Sequence, residues 1–161
     1  ADAELCTHAD FDITDPPERN WKQYSAIINC AAYNDVNGAE NDRAAAWAVN
    51  AEAPAKLARI AAENQLTFVH VSSDYIFDGS KDLHTEDEIP SPLSAYGASK
   101  AAAHSATLTL ALELAGSGVR INPKVPFRGR GGISPVVNRA AHDGNGTKLR
   151  GGLALRFFKR S

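Results

Sequence analysis

The feature that most constrains this chain is an apolar run, Phe68-Val69-His70-Val71, that stops at the hydroxyls Ser72 and Ser73 and is followed, across a polar loop, by Tyr96 and Lys100. A short apolar run ending in small polar residues reads as a buried strand of a parallel sheet. Ligands of open α/β sheets sit just beyond the carboxyl ends of such strands, which places a reactive site at Ser73. Tyr96 and Lys100 lie four apart in a segment with helical patterning, so their side chains share one helix face and can meet over the same ligand. A free phenol titrates near ~10, and an ammonium a few ångströms away favours the phenolate, so the spacing predicts a lowered pKa for Tyr96. Such a phenol works as a general acid or base, and Ser73 can hydrogen-bond the same substrate oxygen. An isolated Tyr and Lys at this spacing more often describe a half-buried aromatic and a solvated charge. The strand ending in Ser-Ser-Asp-Tyr before them, and the Ala-rich helix they open, favour the chemical reading.

The remaining elements arrange themselves around that stretch. Leu5 and Cys6 form an apolar stub that reads as the end of a strand, and Pro16 and Pro17 stop a strand and can start a helix. Residues 26–30 are a second buried strand, followed by a loop of small residues, 31–36, through which a ligand can approach the backbone. Residues 43–64 read as helix with a restart at Pro54, which a first turn tolerates. Trp47 and Val49 are expected in the core. Asn50, polar on an apolar segment, reads either as a support for the site or as a cap for the helix begun at Pro54. The acidic loop 75–92 is long enough to be functional. Residues 93–115 predict a helix apolar nearly all round, which must be covered on more than one face, and 119–122 predict a last strand. Beyond Pro123 glycines are dispersed among basic residues without the G-x-G-x-x-G spacing that cradles a pyrophosphate, so 123–161 reads as a loop-like tail in which Phe157 and Phe158 can still dock.

Composition narrows the function classes. The formal charge is −2, and Lys and Arg are dispersed until the last dozen positions, which disfavours nucleic acid. Cys6 and Cys30 make no paired motif and the histidines show no ligand spacing, so no metal site is expected. No apolar run approaches the ~20 residues of a membrane span, and the first residues lack a basic-then-apolar signal. The expectation is a soluble cytoplasmic protein.

Four motifs, Asn29-Cys-Ala-Ala-Tyr-Asn-Asp-Val-Asn-Gly-Ala-Glu40, Val49-Asn-Ala-Glu-Ala-Pro54, His70-Val-Ser-Ser-Asp-Tyr-Ile-Phe-Asp-Gly79 and Tyr96-Gly-Ala-Ser-Lys100, resemble the extended short-chain dehydrogenase/reductase superfamily and, within it, the dTDP-4-dehydrorhamnose reductase family. The resemblance runs from about Asp12 to Lys100. It implies an α/β fold of Rossmann type, a doubly wound parallel sheet that is incomplete here, with residues 1–122 a partial NAD(P)-binding domain and 123–161 a Gly/Arg-rich tail of uncertain role. It implies NADPH or NADH as cofactor and a nucleotide-linked 4-keto-deoxysugar as substrate. Ser73, Tyr96 and Lys100 would be catalytic. Asp12, Ile13, Ala31, Ala32, Ser72, Tyr96 and Lys100 would contact the dinucleotide, although Asp12 also reads as a turn former. Asn34, Val36, Ser73, Asp74 and Tyr75 would face the sugar nucleotide, and the 93–115 helix would form a homodimer contact.

The pattern also departs from the family. Ser73 stands where most members carry Thr, and His104 where these reductases commonly carry Glu. The family's first strand and Gly-rich phosphate turn lie before this sequence begins, and its substrate lobe has no counterpart in 124–130. That first strand is central in the superfamily's sheet, between the strand ending near Cys6 and the one at 26–30. The expectation is therefore a gap that a strand from outside this sequence or another chain fills, failing which the chain neither folds cooperatively nor binds dinucleotide, because unpaired buried backbone groups cost about 1–3 kcal/mol each. Two other functions are compatible with the motifs: a nucleotide-sugar epimerase or dehydratase of the same fold, and a catalytically silent reductase-like regulatory subunit.

Overall fold

The structure, a computed structural model, describes residues 3–81, 84–85, 88–113, 121–124 and 155–159. Five strands form one sheet: β1 (Ala3–Cys6), β2 (Tyr24–Asn29), β3 (Thr67–Val71), β4 (Ile121–Lys124) and β5 (Leu155–Lys159), in the order β1-β5-β2-β3-β4. The pairs β2–β3 and β3–β4 are parallel, as a Rossmann-type fold requires, whereas β5 runs antiparallel to both β1 and β2. The expected gap is filled from within the chain. Residues 155–159, read from sequence as part of a loop-like tail, are instead a strand between β1 and β2, with Leu155 and Phe157 fully buried. The pattern Leu-Arg-Phe-Phe-Lys supplies the reason: two large apolar side chains two apart fall on one face of a strand, and both join the core that also takes Cys6, Ile27, Leu57 and Phe68.

An aromatic box locks β5 in place. Phe157 packs against Phe11, Trp21 and Tyr24 with ring centroids 5.4, 5.7 and 5.1 Å apart. The Arg19 guanidinium lies 4.7 Å from the centre of the Phe157 ring and donates to Glu4 Oε1 at 2.9 Å, while the Tyr24 hydroxyl donates to Glu4 Oε2 at 2.5 Å. The hydrogen bond from Tyr24, then those from Arg19, hold the Glu4 carboxyl below the usual range, against the upward push of burial.

Helices α1 (Val36–Asn41) and α2 (Arg43–Trp47) begin at aspartates whose carboxylates take free N–H groups of the first turn, Asp35 from Gly38 N at 2.8 Å and Asp42 from Ala45 N at 3.0 Å. The predicted 43–64 helix is divided: α2 passes through a π turn (Ala48–Glu52) into α3 (Ala53–Glu63). Pro54 explains this. It has no N–H for the Asn50 carbonyl, and the Ala53 N–H reaches back five residues to the Ala48 carbonyl, the spacing of a π turn. The extra residue turns Asn50 fully inward and leaves Trp47 46% exposed, so Trp47 is not the core residue the sequence predicts. Val49 does pack on the core. No helix follows Pro16 and Pro17; the next element is a 3₁₀ turn, Trp21–Gln23.

Helix α4 (Ala95–Glu113) matches the predicted helix at 93–115, and of the strand predicted at 119–122 the described residues, 121 and 122, lie in β4. Along 95–110, leaving out Leu108, only Ser105 and Thr109 are exposed, because α1, α2, the π turn, α3 and β4 all contact α4. The apolar girth that suggested a dimer contact is therefore largely covered by the chain itself. Among the described residues no helix is long and apolar enough to cross a membrane, and no group of three or more His, Cys, Asp or Glu is placed to hold a metal ion.

Phe157→Ala should cost about 3–5 kcal/mol, the range for truncating a buried aromatic, whereas Trp47→Ala should stay near zero, within about 0.5 kcal/mol, as a surface change. Urea unfolding of the two variants measures both.

Candidate functional site

The carboxyl end of β3 builds the site. Its pleat points Phe68, His70 and Ser72 to the buried side and exposes Val71, and the chain then turns at Ser73, whose hydroxyl accepts from Tyr75 N at 3.2 Å and donates to Asp74 Oδ1 at 3.2 Å. The short 3₁₀ turn so capped, Asp74–Ile76, lies against the start of α4. There Gly97 is obligatory, since a Cβ would collide with the Tyr75 carbonyl oxygen. Ser94 Oγ takes the Gly97 N–H at 3.0 Å, and Glu40 of α1 takes the Ala95 N–H at 2.6 Å, so α4 is fixed at its first turn.

This start of α4 carries Tyr96 and Lys100 into the interior, with exposures of 8% and 3%. Tyr96 meets the ring of Tyr75 edge-on at 5.6 Å, packs with Ala39, Ala46, Tyr33 and Val36, and has the Ser73 hydroxyl beside its phenol. Burial raises the phenol's pKa and outweighs the lowering by Ser73, with the Asp74 charge adding to the rise. This corrects the expectation of a phenol lowered by Lys100. The ammonium is turned away: Lys100 Nζ donates to the Val71 carbonyl at 3.4 Å, and burial pushes its pKa down to about 8.

Behind Lys100 lies a set of buried polar groups that sequence reading passed over. Asn29 of β2 stands opposite His70 in the ladder; its Oδ1 accepts from Ala31 N at 2.9 Å, so its Nδ2 is the group that donates to His70 Nδ1 at 3.1 Å. The imidazole is thereby fixed as the tautomer with its proton on Nε2, and that atom is buried without a partner among the described residues. Burial first, and the Lys100 charge second, push the His70 pKa down to about 3, so the ring is neutral. His104, one turn beyond Lys100, is likewise buried with Nδ1 unpartnered, and burial lowers its pKa. The detectable signal for the first pair was their place: a histidine and an asparagine, each in an otherwise apolar strand.

Asn50 is a support and not a cap. Its Oδ1 accepts from Tyr33 N at 2.8 Å, and its Nδ2 donates to the Tyr33 carbonyl and to Ser99 Oγ, both at 3.1 Å. Ser99 passes the contact on by donating to the Tyr96 carbonyl at 2.7 Å.

Of the residues assigned from sequence, the structure brings Val36, Ser73, Asp74, Tyr75 and Tyr96 together beside Lys100, with Ala31 and Ala32 at the neighbouring strand end. Asn34 is exposed on the loop after β2. Ser72 Oγ is buried and unpartnered among the described residues. Asp12 and Ile13 lie elsewhere: the Asp12 carboxylate closes a local turn on Thr14 N at 2.8 Å, and Ile13 is buried in the cluster that holds Phe157.

Comparison with known proteins places this geometry. The family described as RmlD substrate binding domain matches residues 3–115. A dTDP-4-dehydrorhamnose reductase of Mycobacterium tuberculosis is 43% identical over 110 residues, 63% of this chain and 36% of that protein. A dTDP-4-keto-6-deoxy-D-glucose reductase of Streptomyces niveus is 36% identical over 109 residues, 65% of this chain and 38% of that protein. Among solved structures, the dTDP-4-dehydrorhamnose reductase of Bacillus anthracis in complex with NADP is 30% identical with a TM-score of 0.57, covering 64% of this chain and 38% of that one. That of Clostridium acetobutylicum is 31% identical with a TM-score of 0.56, covering 64% and 39%. The chain thus spans well under half the length of these relatives.

Lys100 yields a test of the site's electrostatics. Between pH 8 and 10.5 the unfolded chain keeps a proton that the folded chain has released, so the group's contribution to stability rises with pH across that window; below pH 8 both states are charged and the fold bears the full penalty. Lys100→Met should therefore be more stable than the parent at pH 7, by at most about 3 kcal/mol at about 1.4 kcal/mol per pKa unit. The advantage should shrink between pH 8 and 10.5. Thermal melts of both proteins across this range check it, and a pH-independent gap would rule out a buried ammonium.

Proposed function

The chain belongs to the RmlD substrate binding domain family, and we propose that it is the site-bearing part of an NAD(P)H-dependent reductase, in a cytoplasmic setting, that reduces the 4-keto group of a nucleotide-linked deoxysugar. The observation that carries the reading is the buried Tyr96 phenol, set beside the Ser73 hydroxyl at the carboxyl end of β3 and one helical turn from a buried lysine.

The chemistry follows from the chain's own groups. A phenol with a raised pKa is fully protonated at neutral pH, the state needed to give a proton to a carbonyl oxygen becoming an alcohol. Ser73 orients that oxygen by hydrogen bonding, and its hydroxyl favours the phenolate that donation leaves, whereas the Lys100 ammonium is held on the Val71 carbonyl. The dinucleotide, when bound, supplies the hydride to the carbonyl carbon. The residues fit its nicotinamide end: Ser72 Oγ is a buried hydroxyl without a partner, and Ala31 and Ala32 leave space at the end of β2. They fit its pyrophosphate less well. The slot between β1 and β2 is filled by a strand running the opposite way, and among the described residues no helix N-terminus follows it to receive phosphate. The antiparallel strand in that slot is what favours the second reading, a reductase-like subunit that regulates a partner and does not turn over substrate.

Two measurements separate the readings. Calorimetric titration with NADPH and with NADH should give saturable binding, and turnover of a dTDP-4-keto-6-deoxysugar should fall by about two or more orders of magnitude in Tyr96→Phe with the fold retained. Near-normal turnover in that variant would remove Tyr96 from the mechanism. Absence of both binding and turnover in the parent would favour the regulatory reading.

A further inference from the structure

The slot between β1 and β2 is filled by β5. It holds five residues by two antiparallel ladders, Ala3↔Phe158 to Cys6↔Leu155 on one side and Ala26↔Phe158 to Asn29↔Leu155 on the other, with Ser25 Oγ adding a hydrogen bond to the Phe158 carbonyl at 3.2 Å. Its side-chain requirements are explicit. One floor position takes Leu155 beside Cys6, the next takes Phe157 within the box of Phe11, Trp21, Tyr24 and Arg19, and Arg156 and Lys159 face outward.

The connection to this strand does not compel it to come from the same molecule. Thirty residues separate Lys124 from Leu155. Three strand spacings separate β4 from β5, roughly 15 Å, whereas thirty residues reach up to roughly 100 Å. A flexible tether of that length holds a strand at an effective concentration of at most the order of millimolar. A second molecule at comparable concentration offers the same strand with the same ladders and the same box. Reciprocal exchange restores the same pairings of β1 and β2 in both copies and closes as a two-fold pair.

We infer that the β1–β2 slot is a strand-acceptor site for an extended segment with large apolar side chains two residues apart and basic residues between and after them, and that a second copy of this chain supplies that segment by exchanging residues 155–159. The inference does not rest on the reductase reading, since neither Tyr96 nor a dinucleotide enters it.

The test uses the full chain and a fluorescent peptide of residues 153–161. Phe157→Ala in the chain weakens the internal strand, so the labelled peptide should bind this variant saturably and raise its melting temperature by several degrees, while a peptide with Asp at both 155 and 157 should do neither. If Phe157→Ala does not fold alone, refolding it with the peptide present is the same test, with recovered circular dichroism supporting the inference and its absence opposing it. The unaltered chain, refolded at about 1 mM, near the effective concentration of the tether, should contain a dimer by sedimentation that the same chain refolded at 1,000-fold dilution lacks. No peptide uptake by the variant, or only monomer at both concentrations, overturns the inference.

Discussion

The structure depends on the pairing of one strand. Among the described residues β1 has no sheet neighbour except β5, and β2 has only β5 on that side, so β1 joins the parallel part of the sheet through five residues near the end of the chain. Backbone N–H and C=O groups buried without partners cost about 1–3 kcal/mol each, and a strand's worth of them exceeds the ~5–15 kcal/mol by which a domain is stable. The antiparallel direction does not matter to that requirement. A β-strand alternates its side chains whichever way it runs, so Leu155 and Phe157 meet the same floor that a parallel strand with apolar residues two apart would meet.

The other end of the sheet is organised by ionisable groups whose charged forms burial disfavours. Lys100, His70 and His104 are buried beside one another in sequence register or on one helix face, and each has its pKa moved toward the uncharged form mainly by loss of water. Tyr96 is moved the same way, since for a phenol the neutral form is the protonated one. The strand end thus gathers His70, His104 and Tyr96 in forms that burial biases toward neutrality, with Lys100 and Asp74 as the charges beside them. The stabilising work is done by specific hydrogen bonds: Asn29 to His70 and Ala31, Asn50 to Tyr33 and Ser99.

Much of this was legible before any coordinates. The strand ends at Cys6, 26–30 and 67–72, the α4 helix and the convergence of Ser73 with Tyr96 all follow from local periodicity and from motifs of fixed spacing. Three things did not follow, each because the deciding partner is distant in sequence. Residues 155–159 became a strand only because the slot 130 residues earlier required one; a five-residue apolar pattern after many glycines carries no such information locally. Trp47 turned outward because Pro54, seven residues on, forces a π turn and changes the facing of everything before it. The direction of the Tyr96 shift depended on where the Lys100 side chain leads, and helical spacing fixes only where it starts. Asp12 as a turn former was one of the two open readings, and its bond to Thr14 realises it.

The link from Tyr33 through Asn50 and Ser99 to the backbone of Tyr96 joins the two walls of the crevice by one side-chain amide in one rotamer. With both walls held to the same short brace, the opening has a set gauge, and the phenol and the opposite loop move as a single body. On the reading proposed above, a guest too wide for that spacing has to break a buried amide contact to enter, while one that fits gives up only its own freedom of orientation.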